Sequence, residues 1–425
     1  MSVSRRQFIK WVSASAAVAG AVGCASAQSR RTVGRVVVIG GGFGGATAAK
    51  YIRMWSPDIE VTLVERNSEF ISCPLSNRVL AGVVQLSELT RDYGALTARY
   101  GVKLVRGEAS AIDSDARLVR LAGGASLPYD RLIVSPGVEL VYDDIPGLRE
   151  PAAQERVLHA WKAGPQTVAL RKQLEAMRDG GVYAVTVPRS PYRCPPGPYE
   201  RACQVAYYFK TRKPNSKVLI LDANEDVVSK KGLFTKVWAE RYAGMVEYRP
   251  NSVLTDVDVA TMTAKLEFED VKADVLNVVP PQRAGRIAAD SGLITANSKW
   301  CEVDFLTYES KAVKNVHVLG DATLSAPQMP KSGHMANQHG KVCAAAVIAL
   351  LHGETPNPEP MVTNTCYSFV SDKDVIHVAS VHAYVAEKKT MEVVKGASGL
   401  STAPNELEGQ YAEAWGRNIW NDMLG

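Results

Sequence analysis

The chain has no C-x-x-C and no C-x-x-C-H anywhere in its 425 residues. That excludes a zinc ribbon, a thioredoxin motif and a covalently attached c-type haem of its own. Beyond the N-terminal leader no stretch reaches the roughly 18–20 apolar residues that a membrane span needs, so no membrane span is expected. Charge of one sign is also scarce. The formal net charge of +5 includes Arg5, Arg6 and Lys10 of the leader, and what remains is too little to argue for nucleic acid as a partner. Low-complexity linkers are missing as well. What is present is an ordinary globular balance, 46% apolar and 22% charged, in a chain long enough for two or three domains.

The leader "SRRQFIKWVSASAAVAGAVGCASAQ" joins twin arginines to an apolar run of small residues and ends in Ala25-Ser26-Ala27, a fitting cleavage site. Residues 1–27 are therefore read as a twin-arginine signal peptide, and the mature protein is expected in the periplasm. A basic tail is the plainer alternative, and Cys24 only faintly resembles a lipoprotein site. Because the twin-arginine route carries folded, loaded proteins, it hints at a prosthetic group. It also places Cys73, Cys194, Cys203, Cys301, Cys343 and Cys366 where disulfides persist.

The first clear unit is "RVVVIGGGFGGATAAKYI", a β-branched strand running through glycines into a helix. Gly40, Gly42 and Gly45 match G-x-G-x-x-G, with Gly42 admitting a pyrophosphate and Gly45 letting helix pack on strand. The strand "IEVTLVE" then ends in Glu65, placed to accept hydrogen bonds from a ribose. Further on, "YDRLIVSPG" and "VKNVHVLGDAT" supply returning strands, the second ending in Gly320-Asp321, where a carboxylate can bond the ribitol of a flavin. A long helix follows, entered through Lys331, whose N-terminal dipole could face the flavin. Strand, Gly-Asp and helix together point to FAD. Asp321 as a plain helix cap is the alternative.

A second α/β unit lies between these segments: "VYAVTVP", a helix near 199–210, "KVLILDA", a helix around "FTKVWAERYA", and "ADVLNVVPP". The fold class is therefore α/β, with two Rossmann-like domains of the disulfide-reductase flavoprotein plan and a smaller α+β C-terminal domain. The expected boundaries are 33–150 with 281–356 for a discontinuous FAD domain, 151–280 for the second Rossmann-like domain, and 357–425 for a domain closing over the flavin.

In that second unit a glycine turn would seat NAD, but the chain reads "RSPYRCPPGPYER". Proline has no N–H to offer a phosphate and fixes its own φ. The nicotinamide site is therefore expected to be lost. The prolines would instead hold Cys194 in one place, and a fixed cysteine beside a flavin suggests a redox disulfide with a partner elsewhere.

The strings "RCPPGPYERACQVAYY", "PPQRAG", "MPKSGHMANQHGKV" and "NTCYS", in this order behind the FAD fingerprint, resemble the flavoprotein subunit of flavocytochrome c sulfide dehydrogenase over essentially the whole chain from Val33 to Gly425. The resemblance implies that Cys194 pairs with Cys366 above the flavin. It also implies that Cys73, in "FISCPLSN", holds the flavin covalently; a free buried thiol is the alternative there. Hydrosulfide would attack at Cys194 and release Cys366 as a thiolate. Glu200 is the candidate proton acceptor, though a solvated carboxylate at a helix start is an almost equal reading, and Lys331 is a candidate to hold charge on the reduced flavin. Cys203, Cys301 and Cys343 read as core side chains. With neither haem motif nor NAD site, a separate c-type cytochrome subunit is the expected electron acceptor. The competing readings are an enzyme like sulfide:quinone oxidoreductase, which would need a membrane-binding tail, and a non-catalytic flavin-binding electron-transfer or sulfane-sulfur carrier. The C-terminal "NELEGQYAEAWGRNIWNDMLG" carries three glutamates and an aspartate against one arginine, which suits a protein partner better than an anionic bilayer.

Overall fold

The run of valines from Val36 to Val38 has no polar residue to turn toward water, and such a strand belongs in a parallel sheet covered on both faces. In the computed structural model, which describes residues 32–425, strand Gly34–Ile39 takes that central place. The reading of residues 1–27, and of Cys24, lies outside the described residues. Ile59–Glu65 pairs with one side of the central strand and Arg131–Val134 with the other, all parallel. Lys103–Arg106 and Val316–Val318 complete five strands. Helices Phe43–Trp55 and Gly333–His352 pack against each other on this sheet. A Cβ on Gly340 would meet the Gly44 carbonyl oxygen at 2.6 Å, so the two helices approach backbone to backbone.

The chain leaves this domain along Val138–Leu140 and returns along Gln282–Ala284, and these two strands pair antiparallel. Between them lies a second parallel sheet, in the order Val246–Arg249, Lys217–Asp222, Val182–Val187, Val275–Val278. Alternate residues of Val182–Val187 serve two cores. Tyr183, Val185 and Val187 pack with the helices on one face, and Ala184 packs with the other side. Each of the two halves also carries a three-stranded antiparallel sheet, residues 109–128 in the first and 254–272 in the second. The sequence reading had assigned no strands to either.

Met361–Phe369 and Val375–Val385 form a long antiparallel pair in which Cys366 lies opposite Val378. The final helix, Glu406–Leu424, buries Ile419, Trp420, Met423 and Leu424 in the core of the first domain. Its end is tied down by charge. Asp422 accepts from Asn337 Nδ2 at 2.7 Å and pairs with Lys341 at 3.0 Å, while Lys50 Nζ donates to the carbonyls of Asn421 and Asp422. The apolar residues of its second half are therefore buried within the chain, while Leu407 and Tyr411 in its first half are exposed. No helix among the described residues is long and apolar enough to cross a membrane.

Candidate active site

One cavity of about 920 Å³ runs from the glycine turn of the first domain to the cysteine-bearing loop of the second, and the C-terminal domain roofs it. Its floor requires glycine. Gly40 has φ +96°, and a Cβ there would sit 2.3 Å from the Ser135 carbonyl oxygen. A Cβ on Gly45 would lie 1.9 Å from the Gly40 carbonyl oxygen, so helix and strand can meet only without it. Gly42 precedes the helix and has open space beside it. Glu65 is buried at the end of its strand and accepts from the Gly41 N–H and the Asn67 N–H, both at 2.7 Å. It braces the turn from the position that meets a ribose in a dinucleotide fold.

Farther along, Gly320 and Asp321 line the same cavity. The Asp321 Oδ1 atom is buried with no hydrogen-bond partner in the protein, and burial pushes its carboxyl upward while Arg193 and Lys331 oppose that. A buried acceptor with nothing to accept from costs free energy unless a ligand donates to it. Glycine turn, braced acid, orphaned acceptor and cavity together fit an FAD lying along the trough.

Lys331 is not among the residues that line the cavity. Its ammonium does not enter the cavity but turns behind Asp321, donating to the carbonyls of Asp321 at 3.0 Å and Thr323 at 2.5 Å, over the face of Trp300. Burial lowers its pKa to about 8. The reason is geometric: the side chain satisfies the Asp321 and Thr323 carbonyls of the loop behind the cavity wall. Its backbone has another use, since the Lys331 carbonyl accepts from the Cys194 N–H at 2.8 Å.

Cys194 itself sits at φ +60°, a left-handed conformation that a residue with a side chain adopts only where its surroundings enforce it. The bond to Lys331 and the Gly197 N–H, which donates to the Cys194 carbonyl at 2.8 Å, supply that enforcement. Cys366 lines the same cavity from the roof. The expected bond between the two is absent in this structure, where both are free thiols. They are nevertheless close enough that Cys366 raises the pKa of Cys194, adding to the larger effect of burial.

Glu200 is not a solvated helix-start carboxylate. It is buried between the two domains, with Oε1 accepting from the Phe369 N–H and Oε2 from Asn77 Nδ2, both at 3.0 Å. Burial raises its pKa, against these donors and the cations Lys230 and Arg201. Cys73 also faces the cavity, and its Sγ accepts from the Ala163 N–H at 3.4 Å. Cys203, Cys301 and Cys343 are fully buried in the hydrophobic cores.

Three residues escaped the sequence reading. Arg193, beside Cys194 in the chain, lies within electrostatic reach of Cys73, Asp321 and Cys194; its adjacency to the cysteine was the available signal. Lys162 lines the cavity near Cys73 from a loop with no motif. Lys230 reaches across to the strand bearing Cys366 and donates to the Cys366 carbonyl at 2.9 Å.

The second nucleotide position is filled by protein. Asp222, at the end of its strand where an acid would meet a ribose, is fully buried. It accepts from the hydroxyls of Tyr199 at 2.7 Å and Tyr248 at 3.2 Å and from the Asn224 N–H at 2.9 Å. Asn224 in turn donates to the Pro188 carbonyl and accepts from the Ser190 N–H, locking the proline-rich turn onto the strand.

Comparison with known proteins agrees with this geometry. Residues 167–280 match the family model "Sulfide dehydrogenase [flavocytochrome c] flavoprotein chain, central", and residues 358–424 match "Flavocytochrome c sulphide dehydrogenase, flavin-binding". Residues 34–177 match the pyridine nucleotide-disulphide oxidoreductase model. The sulfide dehydrogenase [flavocytochrome c] flavoprotein chain of Chlorobaculum thiosulfatiphilum is 62% identical over 45 residues, which are 11% of this chain and 94% of that sequence. The mitochondrial sulfide:quinone oxidoreductase of Mus musculus is 25% identical over 320 residues, 72% of this chain and 69% of that one. The solved sulfide:quinone oxidoreductase of Aquifex aeolicus shares the fold with a TM-score of 0.75 at 18% identity, covering 92% of this chain and 91% of its own. The cavity that fits FAD thus stands in a chain that belongs to the family of the flavoprotein chain of flavocytochrome c sulfide dehydrogenase.

Proposed function

We propose that this chain oxidises hydrosulfide in the periplasm through a Cys194–Cys366 redox pair and FAD, and that a separate c-type cytochrome subunit takes the electrons. The observation that carries this reading is that two domains each deliver one cysteine, Cys194 and Cys366, to the wall of the cavity that fits the flavin. In the oxidised pair the sulfur of HS⁻ attacks Cys194 Sγ and the bond to Cys366 breaks. This leaves a persulfide on Cys194 and the electron pair on Cys366 as thiolate. Glu200, buried among both sulfurs and Lys230, takes up the proton as the persulfide ionises. Asp321 and Glu65 would hold the ribitol and the ribose, and the glycine turn the pyrophosphate. Cys73, on the cavity wall, would anchor the flavin covalently. When bound, FAD supplies a two-electron acceptor that can release its electrons one at a time.

The deciding experiment is anaerobic addition of sulfide to the purified holoenzyme. Bleaching of the flavin absorbance should occur in the native protein and fail in both Cys194→Ser and Cys366→Ser. Retained bleaching in either variant would show that sulfide reduces the flavin without the redox pair. Offering cytochrome c and a short-chain quinone as acceptors then separates the cytochrome-linked reading from a quinone-linked one.

A further inference from the structure

Lys230 lies just before helix Lys231–Arg241 in the left-handed backbone region, φ +56°. A long side chain holds that conformation only where the surroundings compensate for it, and such positions concentrate at functional sites. The side chain is buried and crosses from the second domain to the third. Its Nζ donates to the Cys366 carbonyl at 2.9 Å, to Ser368 Oγ at 2.7 Å and to the Ile376 carbonyl at 3.3 Å. All three donors of the ammonium are thereby spent on the two strands around Cys366, and none on a carboxylate. Burying a charge without an ion-pair partner is expensive, which argues for a use. The ionisable groups that face it are Cys366, Glu200, Cys194 and Glu408.

The two sulfurs are not equivalent in this setting. The Asn364 amide can serve Cys366 in either protonation state: Oδ1 accepts from the thiol at 3.7 Å, and Nδ2 donates to the sulfur at 3.3 Å. Ser332 Oγ fixes that amide by donating to Oδ1 at 2.6 Å. No N–H or O–H among the described residues is placed to donate to the Cys194 sulfur. Burial raises both thiols. Glu200 raises both further, but for Cys366 the largest influence opposing burial is Lys230, followed by Asn364, whereas for Cys194 the lift from Cys366 and Glu200 outranks the help from Arg193 and Lys230.

We propose that Lys230 is a positioning residue that makes Cys366, rather than Cys194, the sulfur that carries negative charge in the reduced pair, and so directs hydrosulfide to Cys194. This rests on the redox pair proposed above. In thiol–disulfide exchange the sulfur whose thiolate is better stabilised leaves faster, so the nucleophile bonds to the other one. Here the new S–S bond forms at Cys194, the old one breaks, and its electrons pass to Cys366 beside the fixed charge.

The test reads thiol reactivity rather than turnover. The holoenzyme, reduced anaerobically with a phosphine, is treated with limiting methyl methanethiosulfonate across a pH series, and both cysteines are quantified by peptide mapping. In the native protein Cys366 should react ahead of Cys194 and at a lower pH midpoint. Lys230→Met should raise the Cys366 midpoint by about one unit and slow its labelling at neutral pH about tenfold, and Lys230→Arg should restore most of both. Cys194 reacting first in the native protein would overturn the proposal. So would an unchanged Cys366 profile in a Lys230→Met protein of native melting temperature and flavin content. If that variant does not fold, the order of labelling in the native protein decides by itself. Dispensable cysteines in the sulfide experiment would sink the redox pair instead, and that result is independent of the labelling order.

Discussion

The Cys194 N–H donates to the Lys331 carbonyl at 2.8 Å, which fastens the proline-rich turn of the second domain to the residue just ahead of helix Gly333–His352 in the first. The Cys194 turn and the entry to that helix are thus held together by one backbone contact. Gly197 leaves room for this arrangement: a Cβ there would lie 2.9 Å from the Cys194 sulfur and 2.7 Å from the Trp161 ring. Gly197→Ala should therefore keep its flavin, because the glycine turn at Gly40 is remote in sequence and untouched, but displace the sulfur. A shift of about 1 Å at a reacting atom costs on the order of 100-fold in rate. Stopped-flow reduction of the flavin by sulfide should show a loss approaching that size with unchanged flavin content.

Cys73 should carry the flavin through acid. Its sulfur accepts from the Ala163 N–H and lines the cavity together with Arg193 and Lys162. Acid precipitation of the native protein should leave yellow colour in the pellet, and Cys73→Ala should release it to the supernatant while still binding FAD reversibly. Colourless native pellets would mean that the flavin is held without a covalent bond.

How much of this was legible in the sequence follows from how local each signal is. The glycine turn at Gly40, Gly42 and Gly45 and the pair Gly320-Asp321 are contiguous strings whose backbone demands can be read directly. The proline-rich turn in place of a second glycine turn was equally plain, because proline has no N–H. What occupies the acid beside it was not, since Tyr199 and Tyr248 reach Asp222 from separate elements. The direction of the Lys331 side chain was hidden for a related reason. Its position before the helix is local, but the direction of its side chain depends on the Asp321 and Thr323 carbonyls folded against it. Lys230 gave no local signal, because its partners Cys366, Ser368 and Ile376 lie in a different domain.

Nicotinamide should have no effect on this protein. Asp222 is buried beneath two tyrosine hydroxyls and Asn224 is bonded to the Pro188 carbonyl, so the acid that would meet a ribose is already occupied by protein donors. NADH or NADPH added anaerobically should leave the oxidised flavin spectrum unchanged, and calorimetric titration should detect no binding. Rapid bleaching by either would show that the tyrosines move aside.

Glu200 should set the acid limb of activity. Its carboxyl is held above the usual carboxylate range, chiefly by burial, so it remains protonated to higher pH than an exposed glutamate. A proton acceptor works only when ionised. Sulfide-dependent flavin reduction, expressed per hydrosulfide ion so that the ionisation of the substrate cancels, should therefore fall as the pH drops through the raised value. Glu200→Gln should abolish that limb and lower the plateau by roughly 10²–10⁴-fold, the usual worth of a positioned base. Stability should move the other way. A carboxyl whose folded pKa is raised contributes stability that is complete below its unfolded value and lost as the pH rises through the folded one. The glutamine variant can still accept from either Asn77 or the Phe369 N–H, and it has no charge to bury. Its melting temperature should thus gain on that of the native protein toward alkaline pH. A pH–rate limb that survives in Glu200→Gln would assign the proton to another group and leave Glu200 as a brace between the second and third domains.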